Sequence, residues 1–402
     1  MSKLRRRKLV VVSFHKGTKH PFVANFEEVF LYGMLTKLSI HTDVLVRDLA
    51  TGVDRFNLAP QLTLAQTLQE LHKLCERNAA RYVLTGSMHP SFDADGKLTD
   101  IKIAARLYDG EENRFNVDDV TTFKEFDVTV GVSPGSERVD VSMRAMNALI
   151  DWACTHVVGA ALPDEKRLPE KLTQSPVSES YEALNYLVQA QKKVEAKDKR
   201  LFYESAVRAD SKLEVAYYDL ASVLRFERDY EKSVLNYRKA LEVSRGTPHL
   251  KALYANDAGI VCALMGKDEL ALQWWEKAIE LAPDYINPYF NVANVFEDKD
   301  DFDKAENYFK KAQDLAPDDV RTSFNLARVY SKMGEWQKAL AQYQRQLQVE
   351  DGDPWCHSDV ANCYLNLGQP EQARTHLEKT VSLDADGEAG EFAKFILAGL
   401  SG

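Results

Sequence analysis

The chain has 402 residues, with 51 Lys plus Arg against 61 Asp plus Glu, and is 45% hydrophobic and 10% aromatic, proportions that exclude a chain disordered throughout. Over residues 1–170 basic and acidic side chains number 22 and 23, so the net charge of −10 resides almost wholly in the remainder, where they number 29 and 38. This balance argues against a broad nucleic-acid binder, whose affinity rests on a basic surface, and the best candidate for a membrane span, Ala148 to Leu162, is broken by Asp151 and His156.

Arg5, Arg6, Arg7 and Lys8 resemble the start of a secretory signal, but the apolar run Leu9 to Phe14 is too short and meets His15 and Lys16 at once, so it reads as a strand. Four charges without interleaved aromatics read as a soluble tail. Five cysteines, at 75, 154, 262, 356 and 363, form no disulfide framework, which points to a reducing compartment, the cytoplasm.

Strand-like and helix-like patterns then alternate: strand Lys8 to Phe14, helix Val23 to Leu38, strand Thr42 to Arg47, helix Leu62 to Asn78, strands Arg81 to Met88, Lys102 to Tyr108 and Phe123 to Val132, and helix Val139 to Val158. Alternation of this kind predicts an α/β domain over residues 1–162, with Asp109 to Thr122 as an exposed hairpin or loop. Residues 163–179, with Pro163, Pro169 and Pro176, read as a linker. Two stretches resemble the TolB-like domain that precedes repeat arrays in many bacterial signalling proteins. One is Val10-Val11-Val12-Ser13-Phe14, the helix Phe26 to Leu38 and Val44-Leu45-Val46-Arg47; the other is Tyr82-Val83-Leu84-Thr85-Gly86-Ser87, Gly96 to Leu107 and Asp109-Gly110. The usual Asp-Gly pair at the start of the first helix is absent, with Ala24-Asn25 nearby instead. The resemblance implies an interaction or sensory module that docks a second protein or self-associates.

From residue 180 the sequence repeats itself every 34 residues: 180–213 (degenerate), 214–247, 252–285, 286–319, 320–353 and 354–387, with an insertion at 248–251. Position 8 is small (Ala221, Gly259, Ala293, Ala327, Ala361), as is position 20 (Ser233, Ala271, Ala305, Ala339, Ala373). Position 24 is bulky (Tyr237, Trp275, Phe309, Tyr343, Leu377), and turns fall at Gly266, Gly334 and Gly368. In the first unit Leu187 stands at the small position, and Ala190 with Ala206 are better anchors. The pattern resembles the tetratricopeptide repeat family, which implies an all-α superhelix whose first helices line a concave groove. Residues 388–402 read as a capping helix, with Phe392, Phe395 and Ile396 on its apolar face and Gly399 as its stop.

No nucleotide-binding, nucleophile-elbow or zinc-protease motif is present, so an enzyme is not expected, nor a cofactor. Cys356, His357, Cys363 and His376 are metal-like residue types, but Cys356 and Cys363 lie two turns apart on one helix, and the reading preferred is buried thiols with exposed imidazoles. His15, Lys16, Gly17, Lys19 and His20 read as a polar loop at the sheet's edge; a sensory regulator binding a small anion there is the alternative function. Trp275 reads as core and Trp274 as the freer ring.

The helical phase turns positions 2, 5, 6, 9, 12 and 13 toward the groove. They include Tyr218, Asp219, Arg225 and Phe226; Asn256, Asp257 and Ile260; Phe290, Asn291, Asn294 and Glu297; Arg321, Phe324, Asn325, Arg328 and Lys332; and Trp355, Ser358, Asp359 and Asn362. Asn291 and Asn325 share position 6, where an amide both donates to and accepts from a peptide backbone. Phe290 and Phe324 offer apolar contact, and Arg321, Arg328 and Lys332 an acidic partner's counter-charge. The resulting expectation is a non-enzymatic adaptor that binds a protein or peptide through Tyr218, Arg225, Phe290, Asn291, Asn294, Arg321, Phe324, Asn325, Arg328 and Lys332.

Overall fold

The computed structural model describes residues 176–400 except 318; before them it describes 9–11, 15–16, 82–94, 98–109, 114–115, 125–132 and 139–141, and helical positions within 25–37, 69–73 and 146–154. By contact the chain divides into two compact units, Met1–Tyr254 and Ala255–Gly402.

In the first unit β1 (Leu9–Val11) and β2 (His15–Lys16) both run parallel to β3 (Tyr82–Phe92), with Leu9 opposite Tyr82 and His15 opposite Ser87. Antiparallel pairing continues from β3 to β4 (Leu98–Asp109), from β4 to β5 (Arg114–Phe115) and β6 (Glu125–Val132), and from β6 to β7 (Val139–Val141). His15 and Lys16 are thus strand residues and not part of a polar loop: backbone pairing to β3 resumes past β1 whatever the side chains' polarity. Val139 likewise does not begin a helix. Val139 and Val141 flank Asp140 with the alternation of a strand, pair with Val132 and Val130, and the helical positions begin only at 146. The expected strand 42–47, the basic residues 5–8, Gly17 to His20 and linker residues 163–175 lie outside the described residues.

The helical positions between 25 and 37 bury Phe26, Val29, Phe30 and Met34, an i, i+3, i+4, i+8 stripe. Met146, Ile150 and Cys154 are buried too; the Cys154 thiol donates to the Met34 carbonyl (3.6 Å), and Lys37 pairs with Asp151.

From residue 181 the described residues form antiparallel helix pairs. In the first unit α1 (Tyr181–Gln191) precedes α2 (Ala196–Ala209), and α3 (Glu214–Phe226) precedes α4 (Tyr230–Val243). Then follow α5 (Pro248–Leu264), α6 (Asp268–Leu281), α7 (Asn287–Asp298), α8 (Phe302–Leu315), α9 (Val320–Lys332), α10 (Trp336–Val349), α11 (Pro354–Asn366), α12 (Pro370–Leu383) and α13 (Glu388–Gly399). The insertion at 248–251 is an extra helical turn: α5 has 17 residues against 13 in α3 and starts on Pro248, whose missing N–H costs nothing there.

Small residues sit where paired helices cross. Gly259 shows the constraint best, since a Cβ there would meet the Trp275 ring at 2.5 Å. Ser233, fully buried, donates its hydroxyl across the crossing to the Ala221 carbonyl at 2.7 Å. Tyr203 (4% exposed) and Ala206 (0%) stand 34 residues before Tyr237 and Ala240, so the first pair keeps the second-helix pattern despite Leu187. At the other end α13 buries Ala389 and Ala393, with Ile396, Leu397 and Leu400 packed on Ala361, Ala373 and Leu377. Phe392 and Phe395 point outward, 49% and 76% exposed, contrary to the expected apolar face. The reason is close approach at the start of the helix: a Cβ on Gly390 would strike the Asp384 carbonyl, so the small residues Ala389, Gly390 and Ala393 turn inward there and Phe392 and Phe395 fall on the other side.

Each helix pair from α3 onward turns through a left-handed residue: Arg228 (φ 63°), Gly266 (69°), Asp300 (56°), Gly334 (74°) and Gly368 (72°). Arg228 is strained there in a way glycine is not. Arg228→Gly is expected to stabilise the α3–α4 pair by about 0.5–1 kcal/mol, and Gly334→Ala to destabilise α9–α10 by a similar amount; native-state hydrogen exchange of each pair checks both signs.

Candidate functional site

Tyr218 and Arg225 lie on α3 in the first unit, and the other eight expected site residues lie on α7 and α9 in the second. Tyr218 is held between aromatic rings, 5.6 Å from Tyr237 and 5.1 Å from Tyr254. Arg225 is half-buried, and Phe226 beside it is 80% exposed.

In the second unit side chains of successive first helices meet. The Asn291 amide donates to Asn256 Oδ1 (2.9 Å), and the Asn256 amide donates to Asp257 (3.1 Å). Asn294 and Asn325 are half-buried and have no side-chain hydrogen bond among the described residues. Phe290 is buried edge-on against Phe309, and Phe324 is half-buried edge-on against Tyr343. The Arg321 guanidinium lies 5.1 Å from the centre of the Phe290 ring, and that of Arg328 5.9 Å from Phe324.

The cations are not free counter-charges. Arg328 grips Glu297 with two bonds, Nε to Oε1 at 2.8 Å and a terminal nitrogen to Oε2 at 2.6 Å, and Lys332 adds a third contact at 2.8 Å. Glu297 is 2% exposed. Burial pushes its carboxyl up, but the hydrogen bonds and charges of Arg328 and Lys332 outweigh burial and hold it below the ordinary range. Arg321 forks onto Asp319 (2.6 Å). Three cations therefore face two carboxylates of the protein itself. The sequence placed Glu297 on the groove face but carried no sign that it would be buried under both cations.

Asp359 on α11 stands at position 6 of its unit, where α7 and α9 carry Asn291 and Asn325. Burial raises its carboxyl to about 6, with the Tyr343 hydroxyl and Arg328 pulling the other way and Asp353 adding to the rise. Cys356 and Cys363 are fully buried, and burial pushes both thiols up. His357 is 3% exposed, not an exposed imidazole: its Nδ1 lies 3.0 Å from His376 Nδ1 and its Nε2 3.1 Å from the Asp351 carbonyl. A buried ring bonded at both nitrogens has its polar capacity satisfied by the fold. Trp275 is core, donating to the Asn256 carbonyl (3.1 Å), and Trp274 is half-buried.

Removing Arg328 takes two hydrogen bonds and one of two cations from the buried Glu297 carboxylate, leaving it Lys332 alone. Arg328→Ala is expected to cost about 2 kcal/mol, and Arg328→Met with Glu297→Met to recover most of it; urea titrations of the three proteins check this. Glu297's stabilisation is complete above the ordinary carboxylate pKa and is lost as pH falls through its lowered value. Asp359 has the opposite sign: its raised pKa means that the fold disfavours its charge, so stability falls as pH rises toward and past about 6. Asp359→Asn is expected to stabilise at pH 7.5 and to change little at pH 4, measured by thermal melts at both.

A family model described as tetratricopeptide repeat matches residues 212–284 and 284–349, and a second so described matches 332–391. The uncharacterized protein ycf37 of Cyanophora paradoxa is 29% identical over 99 residues, 25% of this chain and 54% of that protein, so the chain spans about half the length of the curated relative it matches. Among solved structures, MamA protein is similar with 19% identity and a TM-score of 0.39, covering 43% of this chain and 92% of that one. YrrB, described as a TPR protein with an unusual peptide-binding site, has 20% identity and a TM-score of 0.40, covering 48% and 97%. The helix pairs, the small residues at their crossings and the family models agree: residues 212–391 are tetratricopeptide repeats.

Proposed function

We propose that this chain is a non-enzymatic scaffold that binds a protein or an extended peptide along the face of α7 and α9. The observation that carries this reading is the pair of half-buried amides, Asn294 and Asn325, without side-chain hydrogen bonds among the described residues, beside the Asn256–Asn291 bond. An amide so placed supplies both donors and an acceptor to a passing peptide backbone. The half-buried Phe324 offers apolar surface beside the Arg328 guanidinium, and the buried Phe290 supports that of Arg321. Because Arg328, Lys332 and Arg321 already hold Glu297 and Asp319, recognition rests on amides and rings more than on net charge. The peptide-binding description of YrrB is in keeping with this reading.

For residues 1–162 the proposal is a TolB-like α/β domain acting as a second protein-docking or self-association module, followed by a linker at 163–179, six repeats at 180–387 and a terminal helix. What supports it is the strand carrying Gly86 and Ser87, paired with parallel strands on one side and an antiparallel one on the other. No nucleic-acid, cofactor or metal partner enters the reading, and the expected location is the cytoplasm. No helix of the described residues is long and apolar enough to cross a membrane.

The test is a comparative pull-down with mass spectrometry using the full chain and its Asn294→Ala/Asn325→Ala variant. Each lost amide bond is worth about 0.5–1.5 kcal/mol, so a groove partner is expected to bind the variant about 10- to 100-fold more weakly at an unchanged melting temperature. Equal capture of every partner by both proteins would remove the groove from consideration.

A further inference from the structure

The first repeats carry a recognition face whose occupant is already in place. The helical residues between 25 and 37 present Asn25, Glu28 and Tyr32, spaced i, i+3, i+7 along one side. The Asn25 amide donates to the Tyr181 hydroxyl (3.2 Å) and to Asn185 Oδ1 (3.1 Å), and its carbonyl oxygen accepts from Gln189 (3.1 Å). Phe26 stacks on Tyr181 at 6.2 Å, Glu28 pairs with Lys192, and the Tyr32 hydroxyl donates to Asp219 (3.4 Å). A Cβ on Gly33 would come 3.5 Å from Leu184.

In the 34-residue register Tyr181, Leu184, Asn185 and Lys192 are positions 2, 5, 6 and 13 of the first unit, and Asp219 is position 6 of the second. These are groove positions. Asn185 corresponds to Asn291 and Asn325, and its carbonyl oxygen accepts from an asparagine amide. The opposite side of the helix is committed elsewhere: Met34 and Lys37 engage Cys154 and Asp151. One stretch of helical residues therefore joins the N-terminal region to this side of α1 and α3.

We infer that the groove face of α1 and α3 is a docking surface for a helical stripe with an amide, a carboxylate and a phenol, and that its occupant is this chain's own helical residues between 25 and 37, bound in cis. The first repeat, with Asp219 of the second, thus holds the N-terminal region, and the groove face of α1 is closed to external partners. This goes beyond the proposed peptide site on α7 and α9 and does not depend on it.

The experiment is hydrogen exchange on the full chain and on Glu28→Lys, Lys192→Glu and the two combined, with α9–α11 as the folding control. Each single change sets like charges against each other and is expected to speed amide exchange in α1 and α3 about tenfold, with α9–α11 unaltered. The combined variant restores the pair in reversed polarity and is expected to return to within about twofold of the parent. Unaltered exchange in the single variants, or a combined variant as fast as the singles or faster, overturns the inference. Exchange in α1 that slows as protein concentration rises assigns the occupant to a second copy and overturns the cis assignment; rates independent of concentration sustain it.

Discussion

Two helices pack closely only where neither presents bulk at the crossing, and every repeat from α3 onward obeys that limit in the same way. Position 8 and position 20 are small and position 24 fills the space left, as in Ala293, Ala305 and Phe309, all fully buried. Where the filler is largest, Trp275, the facing residue loses even its methyl group and becomes Gly259. Where a hydroxyl stands at the crossing, Ser233 turns it onto a carbonyl and leaves no donor unpaired. The inner faces being so constrained, differences between repeats collect on the other side of the first helix, which is why Asn, Phe, Arg and Asp succeed one another there.

The repeats were legible because steric rules act on residue size, and size at a fixed period survives in the sequence. The groove's charge state was not, because it depends on which side chains from different repeats reach each other. Arg328 and Lys332 read as available cations until Glu297, on the preceding first helix, is seen beneath both. The same limit accounts for His357, whose burial comes from His376 nineteen residues later and from the Asp351 carbonyl. In β2 and β7 backbone pairing, which side-chain character does not record, makes the strand. In α13 Ala389 and Ala393 take the inner face together with Ile396, Leu397 and Leu400, and Phe392 and Phe395 stand outside it.

Charge pairing inside the groove alters what kind of ligand the face suits. A guanidinium held by a buried carboxylate keeps its flat faces even when its charge is spent, and Arg321 and Arg328 place those faces near aromatic rings. Long-range steering by salt-sensitive attraction is then weak, and contact chemistry dominates. Asp359 adds a carboxyl that ionises near neutrality, next in line after Asn291 and Asn325. Below about pH 6 it presents a neutral acid, able to donate as well as accept, much as an amide does.

The degenerate first repeat follows from the same reasoning. A repeat buries its faces against neighbours, and one at an array's end must find something else to cover it. At the C-terminal end α13 supplies small residues for that purpose. At α1 the neighbour is a helix from the N-terminal region, with Asn25, Phe26 and Glu28 meeting Asn185, Tyr181 and Lys192. Leu187, fully buried, stands where the inner repeats require Ala or Gly, and the small buried residues of this pair are Ala190 and Ala206 instead. The repeat that departs from the pattern is thus also the one whose Tyr181, Asn185 and Lys192 meet the N-terminal region.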